Sequence, residues 1–197
     1  MTEPTRRGPW TVHSVRRIYD NPWIGVSEST VTDPNGNPGI YGVCHFSGYA
    51  VGVVALDEEG CTYLVGQHRF PNDYYSWELP EGGAPKDVPI LDSAKRELKE
   101  EAGLTASDWE LFLTADTCNA ITDEVAYGYL AWNLETGEQE LDESEQISVK
   151  RLPFRDALEL AVSGEIRDMF TQMMLVKVDL LGRRGALPKR VQEILGY

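Results

Sequence analysis

Cysteine is scarce and odd in number. The 197-residue chain has three, Cys44, Cys61 and Cys118, and no two are spaced as CxxC. This argues against a disulfide framework or a zinc site and points to a reducing cytoplasm. Cys118 reads by default as a small buried thiol. Long apolar runs are also missing, so no transmembrane helix and no membrane partner are expected. Arg6 and Arg7 are not followed by the apolar stretch that a secretory signal needs. Positive charge is short: 18 Lys and Arg stand against 32 Asp and Glu, a formal net charge of −14. Duplex binding needs a basic footprint, so a general nucleic-acid binder is not expected. An anionic ligand would have to be drawn in by local arginines and bound cations. There is no internal repeat and no low-complexity linker.

What remains is ordinary for a globular chain, with 42% hydrophobic and 25% charged residues. The length fits one domain with an extension. Residues 1–10 read as a loose tail. Residues 13–19, 23–32 and 40–46 read as strands, with the turn cluster Asp33-Pro34-Asn35-Gly36-Asn37-Pro38-Gly39 between the last two. The run 49–56 is apolar enough for a strand buried on both faces, and 61–69 is its partner. Further strands are expected at 109–117, 124–133 and 147–152. Helices are expected at about 89–102, 153–162 and 167–181. The acidic segment 135–145 lacks an apolar period and reads as loop. His45 and His68 read as structural. A mixed sheet covered by helices follows.

The most informative stretch is GGAPKDVPILDSAKRELKEEAGL, residues 82–104. At 3.6 residues per turn, Glu97, Glu100 and Glu101 share one arc of a helix, while Leu91, Ala94, Leu98 and Ala102 share another. Like charges three and four apart repel. A clustered carboxylate face therefore suits a hard divalent cation with oxygen ligands. Gly103 is a good stop signal.

Gly82, Arg96, Glu97, Leu98, Glu100, Glu101, Gly103 and Leu104 stand where the signature of the Nudix hydrolases, G-x5-E-x7-R-E-U-x-E-E-x-G-U, requires them. The stretch resembles that signature at every fixed position but one, where Val88 replaces the first glutamate. Segments resembling QxR…WELPEGG, TDEVAY and GEI-x-D extend the likeness to the branch containing ADP-ribose and nucleoside-diphosphate-sugar pyrophosphatases. The resemblance implies an α+β fold: a Nudix α/β/α sandwich with a mixed sheet plus an N-terminal β-hairpin extension. Residues 1–46 would form a β-rich dimerisation extension and 47–197 the hydrolase domain, in a domain-swapped homodimer.

The same resemblance implies the roles. Glu97, Glu100, Glu101, Glu145 and the Glu81 backbone carbonyl would hold Mg²⁺ or Mn²⁺. Glu143 would be the general base, with Glu100 as the alternative, and Arg96 would pair with a helix glutamate. Arg69, Glu78, Gly83, Glu124 and Trp23 would meet the substrate, Trp23 by stacking on a base. The implied reaction splits ADP-ribose or a nucleoside diphosphate sugar into a nucleoside monophosphate and a sugar phosphate. Two rivals stand: a nucleotide-sensing module without hydrolysis, for which Val88 is the one hint, and a hydrolase of dinucleoside polyphosphates or capped RNA.

Overall fold

A computed structural model describes residues 3–141 and 146–197. By compactness the chain divides into two units: residues up to Tyr49 with Asp116–Val125, and Ala50–Ala115 with Ala126–Tyr197.

The front unit is a four-stranded sheet in the order β1-β2-β3-β4: Thr5–Arg7, Trp10–Asp20, Ile24–Thr32 and Pro38–Phe46. All its pairings are antiparallel. The expected hairpin is thus a meander, and part of the expected loose tail is a strand. Thr5, Arg6 and Arg7 pair with Val12, Thr11 and Trp10 across the turn at Gly8, whose φ of +54° suits glycine. Polar residues with no alternation gave β1 no sequence signal. Asp33 organises the β3–β4 turn by accepting from the amides of Asn35 and Asn37, each at 2.8 Å.

Residues 116–125 complete this unit. The Cys44 amide donates to the Ile121 carbonyl (2.8 Å), and the Tyr41 hydroxyl to that of Ala120 (2.7 Å). His45 bridges Ser27 Oγ at 2.7 Å and Asp123 Oδ2 at 2.6 Å through its two ring nitrogens. Cys118 in this loop is exposed rather than buried. Its polar, turn-rich neighbours offer no apolar stripe to pull it inward.

The larger unit holds two sheets. One has the order β8-β5-β10-β9: Glu81–Pro85, Gly48–Ala55, Val125–Thr136 and Leu104–Asp116. β5 and β10 run parallel, so the sheet is mixed as expected. The other is antiparallel, β11-β6-β7: Ser148–Pro153, Cys61–Arg69 and Tyr74–Glu78. The helices are α1 (Ile90–Ala102), α2 (Phe154–Ser163), α3 (Met169–Arg183) and α4 (Lys189–Leu195). α1 packs on β8 and β6; α2 packs on α3, β6 and β11. Val54, Leu64, Leu130, Phe154, Met174 and Leu175 lie in one fully enclosed core.

Gly52 and Gly128 face each other across the β5–β10 ladder, and Met174 of α3 sits against both. A Cβ at either would press into that side chain, so the pair lets α3 approach the sheet closely. Besides β1, three elements escape the pattern of the chain: β7, β8 inside the glycine-rich turn, and the short α4 after Pro188.

Candidate active site

Helix α1 carries the acidic cluster. Pro89 sets its start, and Gly103 closes it in the left-handed conformation, φ +65°, with its amide bonded to the Lys99 carbonyl. The helix does not sort its residues into an acidic outer arc and an apolar inner one. Glu97 and Glu101 are only 8% and 3% exposed, buried together with Ala94, Leu98 and Ala102. Space decides this. Gly82 of β8 lies so close to the Glu97 carboxyl group that a Cβ there would collide with it. The signature glycine is therefore the room in which a buried carboxylate sits.

Four contacts fix the cluster. The Glu81 amide donates to Glu101 Oε2 at 2.8 Å. Arg96 donates through Nη2 to Glu97 Oε1 (2.6 Å) and to the Gly83 carbonyl (2.8 Å). Its Nη1 donates to Glu100 Oε2 (2.7 Å), the expected pairing four residues along the helix. Arg96 thus spans two carboxylates of α1 and the backbone of β8. Burial works against its charge, but Glu97 and Glu100 outweigh it and hold the guanidinium pKa above its ordinary value.

Arg69 and Glu78, both expected to meet substrate, bind each other. Arg69 Nε lies 2.9 and 3.1 Å from the two Glu78 oxygens, and Nη2 also bonds Oε2. Glu78 is 2% exposed, whereas the Arg69 side chain is 37% exposed. The hydrogen bonds to Glu78 raise the Arg69 pKa. This pair fixes the plane of a guanidinium that still reaches solvent, and it occupies the Nε–Nη2 edge of that group.

The Glu81 side chain turns the other way, into the protein. Its Oε1 accepts from the Thr171 hydroxyl at 2.8 Å. Burial first, then the charges of Asp168 and Glu78, push its carboxyl pKa well above the ordinary range. Trp23 and Glu124 belong to the front unit. Trp23 is 72% exposed, with its amide donating to Asn21 Oδ1. Glu124 Oε2 accepts from Thr117 Oγ1 at 2.9 Å. Glu143 and Glu145 lie outside the described residues. Val88, at the departing signature position, is 38% exposed.

The donors present are hard oxygens on buried carboxylates, which fits a divalent cation. Among the described residues no three acidic, histidine or cysteine side chains come close enough together to hold one by themselves. A complete shell therefore calls for further oxygens, and backbone carbonyls, water and substrate phosphates are the usual sources.

Comparison with known proteins fits this geometry. A model of the NUDIX domain matches residues 47–173. The chain belongs to the Nudix hydrolase family. A model of the nucleoside diphosphate sugar hydrolase N-terminal domain matches residues 10–44. The ADP-ribose pyrophosphatase of Bacillus subtilis (strain 168) is 32% identical over 157 residues, 79% of this chain and 84% of that protein. The ADP-ribose pyrophosphatase of Mycobacterium tuberculosis is 36% identical over 126 residues, 62% of this chain and 59% of that one. The crystal structure of an ADP compounds hydrolase superposes with a TM-score of 0.79, covering 95% of this chain and 98% of its own. Its 19% identity carries the fold alone. The Nudix α+β fold and a pyrophosphohydrolase of the ADP-ribose pyrophosphatase-like group follow, in a family that generally works with divalent metal.

Proposed function

We propose that this Nudix chain hydrolyses the diphosphate of ADP-ribose or a nucleoside diphosphate sugar, giving a nucleoside monophosphate and a sugar phosphate. The supporting observation is the buried Glu97–Glu101 pair clamped between the Glu81 amide and Arg96. Buried carboxylates need positive charge around them, and a divalent cation would add to what Arg96 supplies.

Glu97, Glu101, Glu100, Glu145 and the Glu81 carbonyl would hold Mg²⁺ or Mn²⁺. Such an ion neutralises the diphosphate and makes water a better nucleophile. Glu143 takes the proton from the attacking water, with Glu100 as the alternative base. Arg69, held in plane by Glu78, grips a phosphate oxygen pair. Arg96 keeps Glu97 and Glu100 oriented, and the Gly83 backbone borders the diphosphate. Glu124 and Trp23 would meet the substrate, Trp23 by stacking on the base. The protein works as a domain-swapped homodimer in the cytoplasm, with residues 1–46 as the dimerisation extension and 47–197 as the hydrolase domain.

The deciding experiment is a panel of ADP-ribose, GDP-mannose, UDP-glucose, NADH and diadenosine polyphosphates, each with Mg²⁺ and with Mn²⁺. The expected result is AMP from ADP-ribose, or the monophosphate from a nucleotide sugar, with EDTA stopping the reaction. Tight binding of ADP-ribose with no anhydride cleavage would make the chain a sensor instead.

A further inference from the structure

Thr171 lies near the start of α3, far along the chain from the metal-ligand candidates, and is fully buried. Its hydroxyl is engaged on both sides. Oγ1 accepts from the Leu79 amide at 3.0 Å and donates to Glu81 Oε1 at 2.8 Å. Its own amide donates to Oδ2 of Asp168, the α3 N-cap, at 2.6 Å. Two residues of the Leu79-Pro80-Glu81 turn are thus bonded to one hydroxyl. The same Glu81 then donates its amide to Glu101 Oε2 at 2.8 Å. A continuous line runs from the Asp168 cap through Thr171 and Glu81 to Glu101.

We infer that Thr171 is a positioning residue: its hydroxyl fixes the Leu79–Glu81 turn so that the Glu81 backbone holds Glu101 in its metal-binding pose. The inference rests on the functional reading above and adds a residue outside the signature to it. The hydroxyl is well chosen for this. Both of its bonds are made out of contact with water, where a satisfied hydrogen bond is stiff and an unsatisfied partner is costly. Valine has nearly the same shape but would strand the Leu79 amide and take from the Glu81 carboxyl its bond to Thr171, leaving it the contact with Asp168. Turn and helix would still pack, but with the two hydroxyl bonds that set their register gone. Carboxylates that ligate metals depend on such outer contacts for orientation, and losing one commonly weakens metal binding by 10- to 100-fold.

The test compares the full-length wild type, Thr171→Val and Thr171→Ser by Mn²⁺ titration calorimetry and by steady-state kinetics on ADP-ribose. Thr171→Val should weaken Mn²⁺ binding at least tenfold and lower kcat at saturating metal at least tenfold, with KM for ADP-ribose within about twofold. Thr171→Ser keeps the hydroxyl and should restore both. Wild-type Mn²⁺ affinity in Thr171→Val overturns the inference. So does a Thr171→Ser protein as impaired as the valine variant, because packing of the methyl would then be the cause.

A second measurement needs no variant. In the wild type, Mn²⁺ should slow amide hydrogen exchange at Leu79 and Thr171 as well as at Glu81; slowing confined to Glu81 and α1 sinks the proposal. A wild type that neither binds Mn²⁺ nor cleaves ADP-ribose defeats the functional reading together with this one. An active wild type matched by Thr171→Val defeats this one alone.

Discussion

At the scale of single residues, the site depends on carboxylates placed where water would not leave them. Glu101 is 3% exposed and tied to the Glu81 amide. Glu101→Gln keeps shape and that hydrogen bond but removes the charge. It should cut turnover by about 10³-fold or more while the melting temperature holds or rises, because an unfavourable buried charge has gone. Full turnover in this variant would remove Glu101 from the metal site. Glu143→Gln in the same assay should lower kcat by about 10²–10⁴-fold with substrate affinity kept, and an unchanged rate moves the base to Glu100. Which acids stand in the signature was legible in the chain. Their burial was not, because a helical wheel places Glu97, Glu100 and Glu101 on one arc regardless of what packs there. The hint was Gly82, whose missing Cβ makes the space. Thr171 gave a weaker hint: Asp168 three residues before it is a cap signal, but the Glu81 contact spans 90 residues of chain.

At the scale of elements, the β5–β6 turn is held to β11 by an ion pair. Asp57 Oδ2 accepts from Arg151 Nε at 2.6 Å, and its Oδ1 accepts from the amides of Glu59 and Cys61. Burial alone would raise the Asp57 pKa, but Arg151 and the two amides outweigh it, and the net direction is down. A depressed carboxylate stabilises the fold fully above its unfolded value and loses that contribution as pH falls through its folded value. The stability gap between wild type and Asp57→Asn in urea should therefore be constant from about pH 8 to 5 and close below about pH 4. A gap that persists at low pH would mean that the turn geometry, not the charge, carries it.

Elements of this kind differ in how well the chain announces them. β5 and β6 are apolar runs bounded by turns, and α1 has a stop glycine, so all three were legible to within a residue or so. β1, β8 and α4 were not. β1 is polar, β8 is made largely of glycine and proline-flanked residues, and α4 has seven residues, too few for a periodic stripe. Tertiary pairing, not local propensity, makes each of them.

At the scale of the whole molecule, a net charge of −14 and a buried acidic cluster mean that the metal-free protein carries self-repulsion that a cation relieves. Mg²⁺ or Mn²⁺ at about 100 times its dissociation constant adds about 2.7 kcal/mol, a rise in Tm of about 5–10 °C for a chain of this size. Differential scanning calorimetry with and without EDTA reads this directly, and a Tm indifferent to metal argues against the site. Sedimentation at micromolar concentration tests the dimer: twice the 22.1 kDa chain mass is expected, and a clean monomer sinks it.

The front unit also has a history in time. Its sheet ends by Phe46, but the segment that bonds Tyr41, Cys44 and His45 arrives only with residues 116–125. During synthesis on a ribosome the meander must wait for roughly 75 more residues, about 4–15 s at ordinary elongation rates, before its last hydrogen bonds can close. Over that interval β4 is an open edge, and neighbouring nascent chains on one messenger are the first partners it meets.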